Sequence, residues 1–325
     1  MSIALEGLQV ALRTPGADVP LVQDVSFRIE PGQVLGLVGE SGAGKSLTAS
    51  ALIGLVAPPV RITAGQLTVR ARAVSLDSPE AIRPLRGKEV GFVPQDPFTS
   101  LDPLFRVGDQ LVETLRAHLP LDRVAARERA VQLFADVGLP SPAERFSHYP
   151  HQLSGGMRQR VAIALALCAE PPLVIADECT TALDVSTQAQ IVSLLARLVE
   201  ERGTSVLLIT HDLGVVGELA TEVAIMYAGR IVERAPLGPL LRAPRHPYTR
   251  ALLDAVPRIG GEVGGALPAI PGTMPRPGAL PPGCAFHPRC PRASERCKNE
   301  RPPLERSGDS ELACWHPLEA GASRG

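Results

Sequence analysis

Val34-Leu35-Gly36-Leu37-Val38 runs directly into Gly39-Glu40-Ser41-Gly42-Ala43-Gly44-Lys45-Ser46, a glycine-rich octet that ends in Lys-Ser and is followed by Leu47. The apolar run has the composition of a buried strand, and the residues from Lys45 onward suit a helix. A turn of this make-up between strand and helix is a phosphate-binding loop. Glycines 39, 42 and 44 let backbone N–H groups turn inward on phosphate oxygens. The whole run from Gly39 through Glu40, Ser41, Gly42, Ala43, Gly44, Lys45 and Ser46 to Leu47 is therefore expected to line a nucleoside triphosphate. Lys45 adds the positive charge that a helix N-terminus supplies only in part, and Ser46 is placed to ligate Mg²⁺.

Working outward, Leu173-Val174-Ile175-Ala176-Asp177-Glu178 reads as a buried strand that ends in two carboxylates. Strand alternation would send their side chains in different directions. Asp177 would then hold Mg²⁺ while Glu178 orients an attacking water. Leu153-Ser154-Gly155-Gly156-Met157-Arg158-Gln159-Arg160 opens a helix expected over 157–168, and its paired glycines bare backbone donors at that helix's start. Ile209-Thr210-His211-Asp212 places a histidine at the end of another apolar strand. Phe92-Val93-Pro94-Gln95-Asp96-Pro97 carries a glutamine at a comparable point.

In this order and spacing, the segments resemble the ATP-binding-cassette ATPases. The resemblance implies a phosphate-loop cassette of α/β class, with a RecA-like core, an antiparallel β subdomain and an inserted helical subdomain at about 98–166. It assigns Glu178 and His211 as catalytic, His211 contacting the γ-phosphate, and places Gln95 beside Ser46 and Asp177 at Mg²⁺. Ser154, Gly155 and Gly156 become the signature that completes the ATP site of an opposite subunit. Ala182-Leu183-Asp184 matches the loop that communicates across such a dimer. The chain departs from the family pattern at three places. Leu8 to Arg13 lacks an aromatic residue for the adenine and offers Leu12 instead, Cys179 replaces a proline, and Met157 replaces a glutamine.

Composition narrows the class further. With 325 residues and 45% hydrophobic content, the chain can build one large domain with an appendage, or two domains. A net charge of −1 argues against a general electrostatic grip on nucleic acid, and no nucleic-acid partner is expected. The longest apolar stretch, Val161 to Ala176, is broken by Glu170, Pro171 and Pro172 and falls short of a bilayer span. Apolar positions at helical spacing between 105 and 138, including Leu111, Leu115, Val124, Val131, Leu133 and Val137, predict inserted helices. The cassette is expected over 1–235 and a distinct extension over 236–325.

That extension holds sixteen of the 32 prolines, so regular structure cannot dominate it. A short helix is expected at His246 to Val256, with Pro247 near its start. Cys284, Cys290, Cys297 and Cys314 cluster at spacings x5, x6 and x16. An iron–sulfur cluster, a structural zinc, disulfides and unliganded thiols are the alternatives. The wide spacing favours a [4Fe-4S] cluster over zinc, and a reducing compartment disfavours disulfides. His287 and His316 are substitute ligands, whereas Cys168 and Cys179 read as buried cassette residues.

His246 to Leu253, Pro271-Gly272 and Gly283 to Cys290 resemble the carboxy-terminal region of oligopeptide and dipeptide importer ATPases, the D-type subunit in particular. The resemblance implies a peripheral ATPase on the cytoplasmic face of the cell membrane. Its partners would be a second, F-type ATPase, two transmembrane permeases and an extracytoplasmic substrate-binding protein. A nickel or other small-solute importer and a soluble non-transport cassette ATPase are the alternatives.

Overall fold

The computed structural model of the chain describes residues 2–181, 183–256 and 269–319. Alternating apolar positions in the first thirty residues become β1 (Ile3–Leu12) and β2 (Val19–Ile29), paired antiparallel around the polar turn between them. β3 (Val34–Val38) is buried at every position and leads through the glycine-rich loop into α1 (Lys45–Leu52). β4 (Val60–Val69) and β5 (Arg72–Ser75) complete a four-stranded sheet in the order β2-β1-β4-β5. After α2 (Pro79–Ile82) the chain enters β6 (Val90–Val93).

The inserted helices are α3 (Pro97–Ser100), α4 (Val107–His118), α5 (Arg123–Asp136), α6 (Pro142–Arg145) and α7 (Gly155–Leu167). Leu111 and Leu115 of α4 pack with Ala126, Ala130, Leu133 and Phe134 of α5. Val124 does not join them: it lies one residue past the start of α5 and is exposed, so the apolar stripe begins at Ala126. α7 starts two residues earlier than the sequence suggests, because Ser154 rather than a later residue caps it.

β7 (Leu173–Asp177), α8 (Val185–Arg202), β8 (Ser205–Thr210), α9 (Leu213–Leu219) and β9 (Glu222–Tyr227) return to α/β alternation, and β10 (Arg230–Pro236) turns back antiparallel on β9. β3 pairs in parallel with β8 and β9, β8 with β7, and β7 with β6. Burial on both faces explains why β3, β7 and β8 read as near-continuous apolar runs. Val174 and Ala176 of β7 face the helices, while Leu173 and Ile175 face α1 and the antiparallel sheet.

The extension contains α10 (Leu237–Arg242), α11 (Pro247–Asp254), α12 (Glu295–Asn299) and a hairpin of β11 (Glu305–Ser307) and β12 (Ser310–Leu312). Composition gives no sign that this hairpin prolongs the main sheet. β12 pairs antiparallel with β10, extending the order to β11-β12-β10-β9-β3-β8-β7-β6. Beside that join, the buried carboxylate of Glu233 accepts the backbone N–H groups of Arg245 (2.7 Å) and His246 (3.0 Å). The start of α11 is thereby tied to the core.

Candidate active site

In an open parallel sheet, ligands gather beyond the carboxyl ends of the strands. Here β3, β8, β7 and β6 are neighbours, and each passes a polar group to that edge: the phosphate loop, His211, Asp177 with Glu178, and Gln95. Local sequence dictates the loop's shape. Gly44 caps α1 at φ 105°, a left-handed conformation that side chains rarely adopt. Gly39 passes so close to β9 that a Cβ there would sit 2.3 Å from the carbonyl oxygen of Met226. Only glycine lets the loop turn against that strand.

Lys45 is 4% exposed, and its Nζ donates to the carbonyl oxygens of Gly39 (2.8 Å) and Glu40 (3.2 Å). The ammonium therefore points back over the loop. Burial pushes its pKa down, and the charges of Glu178, Asp177 and Glu40 oppose the shift. Ser46 Oγ donates to Asp177 Oδ1 at 3.0 Å, which joins two hard oxygen donors from α1 and β7. Burial raises the Asp177 carboxyl, and the Ser46 hydrogen bond counters it.

Glu178 is the hub of this edge. One carboxylate oxygen lies 3.9 Å from Lys45 Nζ. The other accepts from Gln95 Nε2 at 3.0 Å and lies 3.4 Å from His211 Nδ1. Strand alternation does not set its direction, contrary to expectation. β7 ends at Asp177, and Glu178 adopts φ 44°, so a left-handed turn and not strand alternation aims its side chain. Its N–H still donates to Ile209 O at 2.8 Å, which locks that turn against β8. A non-glycine residue held there is strained, as active-site residues often are.

The signature segment opens α7, the last of the inserted helices. Ser154 caps α7 by accepting the Met157 N–H at 3.3 Å, and it is exposed. Gly156 lies against α8, where a Cβ would come within 2.6 Å of Thr187 Cγ2. Arg158 anchors the segment by donating to Leu153 O at 2.9 Å and stacking 3.5 Å over the Phe98 ring. Ser154, Gly155 and Gly156 contact their own helix, Leu183 and Thr187, whereas Gln95, Glu178 and His211 converge with Lys45. Asp184 caps α8 through Thr187, whose hydrogen bonds lower its pKa. Ala182 lies outside the described residues.

At the departures from the expected pattern, Leu12 is half-buried. Cys179 is buried, with its thiol pushed up to about 12 by burial, and Met157 serves the Ser154 cap through its backbone. Sequence reading did not place Tyr248 or Arg289 beside the loop. Tyr248 Oη accepts the Glu40 N–H at 2.9 Å, and Arg289 makes two bonds to the Glu40 carboxylate. Both lie in segments singled out for other reasons, and no local pattern marks the contact.

The four tail cysteines line one cavity, with Phe286 and Trp315 among its walls. Burial raises the thiols of Cys284, Cys290 and Cys314, the last to about 11. The neighbouring cysteines push each of these three further the same way. Bound positive charge would reverse that effect. Among the described residues, no three His, Cys, Asp or Glu side chains are arranged to hold a single metal ion. His287 Nδ1 is taken by Cys284 O (3.0 Å) and His316 Nε2 by Ser294 Oγ (2.7 Å). Cys168 is buried in the cassette core, as expected.

Comparison with known proteins agrees with this architecture. Residues 22–181 match the ABC transporter family, and residues 232–297 match the family described as oligopeptide/dipeptide transporter, C-terminal region. The oligopeptide transport ATP-binding protein OppD of Salmonella typhimurium is 46% identical over 319 residues, covering 98% of this chain and 94% of its own length. The dipeptide transport ATP-binding protein DppD of Escherichia coli is 42% identical over 316 residues, covering 97% and 96%. Among solved structures, the ATP-binding cassette MJ0796, a dimer in a post-hydrolysis state bound to ADP and Pi, superposes with a TM-score of 0.64 at 27% identity. That match covers 72% of this chain and 98% of the other.

Proposed function

Because this chain belongs to the ATP-binding-cassette transporter ATPases and carries the C-terminal region of their oligopeptide and dipeptide branch, we propose that it hydrolyses ATP to drive peptide import. It would work as a peripheral subunit on the cytoplasmic face of a membrane. The observation that carries this reading is the convergence of Gln95 and His211 on Glu178, beside the Ser46–Asp177 pair and Lys45.

The roles follow from these positions. Backbone N–H groups of Gly39 to Leu47 and the Lys45 ammonium take the phosphates. Ser46, Asp177 and Gln95 would be the oxygen donors that hold Mg²⁺, whose charge would offset that of the triphosphate. Glu178 lies deeper than His211 and accepts from Gln95, so its carboxylate is oriented to hold the attacking water while His211 donates to the γ-phosphate. Ser154 is exposed at the start of α7 and Gly155 and Gly156 lie by Leu183 and Thr187, which fits a role on the nucleotide of an opposing cassette, here proposed to be an F-type subunit. That MJ0796 is a dimer with ADP and Pi bound is in keeping with two cassettes acting together. Leu183 and Asp184 would lie between the two sites.

Among the described residues, no helix is long and apolar enough to cross a membrane. Phe98, Leu104 and Phe105 follow Gln95 and are 57–78% exposed, an apolar surface suited to a permease helix. Two permeases and an extracytoplasmic binding protein would complete the importer. The division into a cassette at 1–235 and an extension at 236–325 is part of the same proposal. Cys284, Cys290, Cys297 and Cys314 line one cavity and are proposed as four thiolate ligands of a [4Fe-4S] cluster, with a structural zinc as the alternative.

Glu178→Gln keeps size and hydrogen bonding but removes the carboxylate charge. In the assembled transporter it is expected to bind ATP and to slow single-turnover hydrolysis at this site by about 10²–10⁴-fold. Unchanged turnover would reject the assignment.

A further inference from the structure

Glu40, the second residue of the phosphate loop, is held by two residues from the extension. Its N–H donates to Tyr248 Oη at 2.9 Å. Its carboxylate takes parallel bonds from Arg289 Nη1 (2.8 Å) and Nη2 (2.9 Å), across 249 positions of sequence. The guanidinium is fixed in turn, since its Nε donates to Pro271 O at 2.7 Å and its side chain is 5% exposed. A bidentate arginine–carboxylate pair sets geometry as well as charge. The Glu40 carbonyl also accepts from Lys45 Nζ, so the hold on Glu40 reaches the phosphate-binding lysine.

Arg289 stands between two cysteines of the shared cavity. Cys284 O accepts the His287 N–H, Phe286 O that of Arg289, and His287 O that of Cys290, which makes one tight turn from Cys284 to Cys290. Phe286 packs edge-on against Tyr227 (5.2 Å) and beside Tyr248 (5.3 Å). A change in the placement of Cys284 or Cys290 must therefore move the backbone that carries Arg289.

We propose that Arg289 and Tyr248 are positioning residues of the phosphate loop, through which the cysteine-bearing extension sets the affinity of the cassette for nucleotide. Two effects act in the same direction. The clamp pre-organises the loop, and Arg289 neutralises a carboxylate that would otherwise face the incoming triphosphate. The link to cysteine ligation rests on the cluster reading above, whereas the clamp does not.

The test measures binding of a fluorescent ATP analogue to the full-length chain, alongside iron, acid-labile sulfide and thermal melting. Arg289→Ala is expected to weaken binding about tenfold without loss of iron. Arg289→Lys, which keeps charge but not the fork, should fall between. Adding Glu40→Gln to Arg289→Ala should recover part of the loss, which a merely structural defect would not. Cys290→Ser should lower iron content and weaken nucleotide binding, and it should add nothing in the Arg289→Ala background. Wild-type affinity in Arg289→Ala would overturn the clamp, and additive effects of the two substitutions would overturn the coupling. A wild-type chain without iron and sulfide would reject the cluster reading and leave the Arg289 result to decide the clamp.

Discussion

The nucleotide edge and the cysteine-bearing extension meet at Glu40, yet they are ordered by different means. At the edge, β3, β8, β7 and β6 are locked in parallel register, and backbone geometry places each group: a left-handed Gly44, a left-handed Glu178 and strand ends at Asp177 and Thr210. In the extension, short elements depend on side chains. Glu233 receives the start of α11, Phe286 fills the space between Tyr227, Tyr248 and His246, and four thiols line one cavity. A region held by backbone ladders can tolerate substitution around its active groups. One held by a few side chains cannot lose any of them cheaply.

Removing Phe286 is the strongest way to break this contrast. The ring is buried beside three other aromatic side chains, and Phe286→Ala is expected to destabilise the extension by about 3–5 kcal/mol. If the two regions are ordered separately, calorimetry will show an early transition split from that of the cassette. A single transition shifted as a whole would show one cooperative unit.

A pH series sharpens the comparison next. Burial holds His246 down to about 4, from an ordinary value of 6.5. Between those values the unfolded chain takes up a proton that the folded chain refuses. The contribution of this site is complete above pH 6.5 and is lost as pH falls, by up to about 3 kcal/mol. Urea denaturation followed by probes in the extension should show this loss accruing from about pH 6.5 down to about pH 4. A flat profile would mean that the ring is reached by solvent.

Ser154→Ala is the smallest expected change. It removes the N-cap of α7 and should cost about 1 kcal/mol, measured as a lower melting temperature. Turnover at the partner's nucleotide should fall as well, while nucleotide binding by the isolated chain holds. A matching loss of binding in the isolated chain would place the signature in its own site.

Residue order alone marked the phosphate loop, the carboxylates at the end of β7, the signature and the strand-end histidine, because each is a contiguous chemical pattern attached to a strand or helix with its own periodicity, whereas the cysteines stood out only by their clustering. The buried runs of β3, β7 and β8 were legible for the same reason. The turn that aims Glu178 was not, since an alternating pattern assumes that the strand continues and φ 44° ends it. Nor was the pairing of β12 with β10, because three-residue strands carry too little pattern to declare a partner. The clamp of Arg289 and Tyr248 on Glu40 lies furthest from any sequence signal. It joins residues more than two hundred positions apart, and only the path of the folded chain brings those charges and donors within reach of one another.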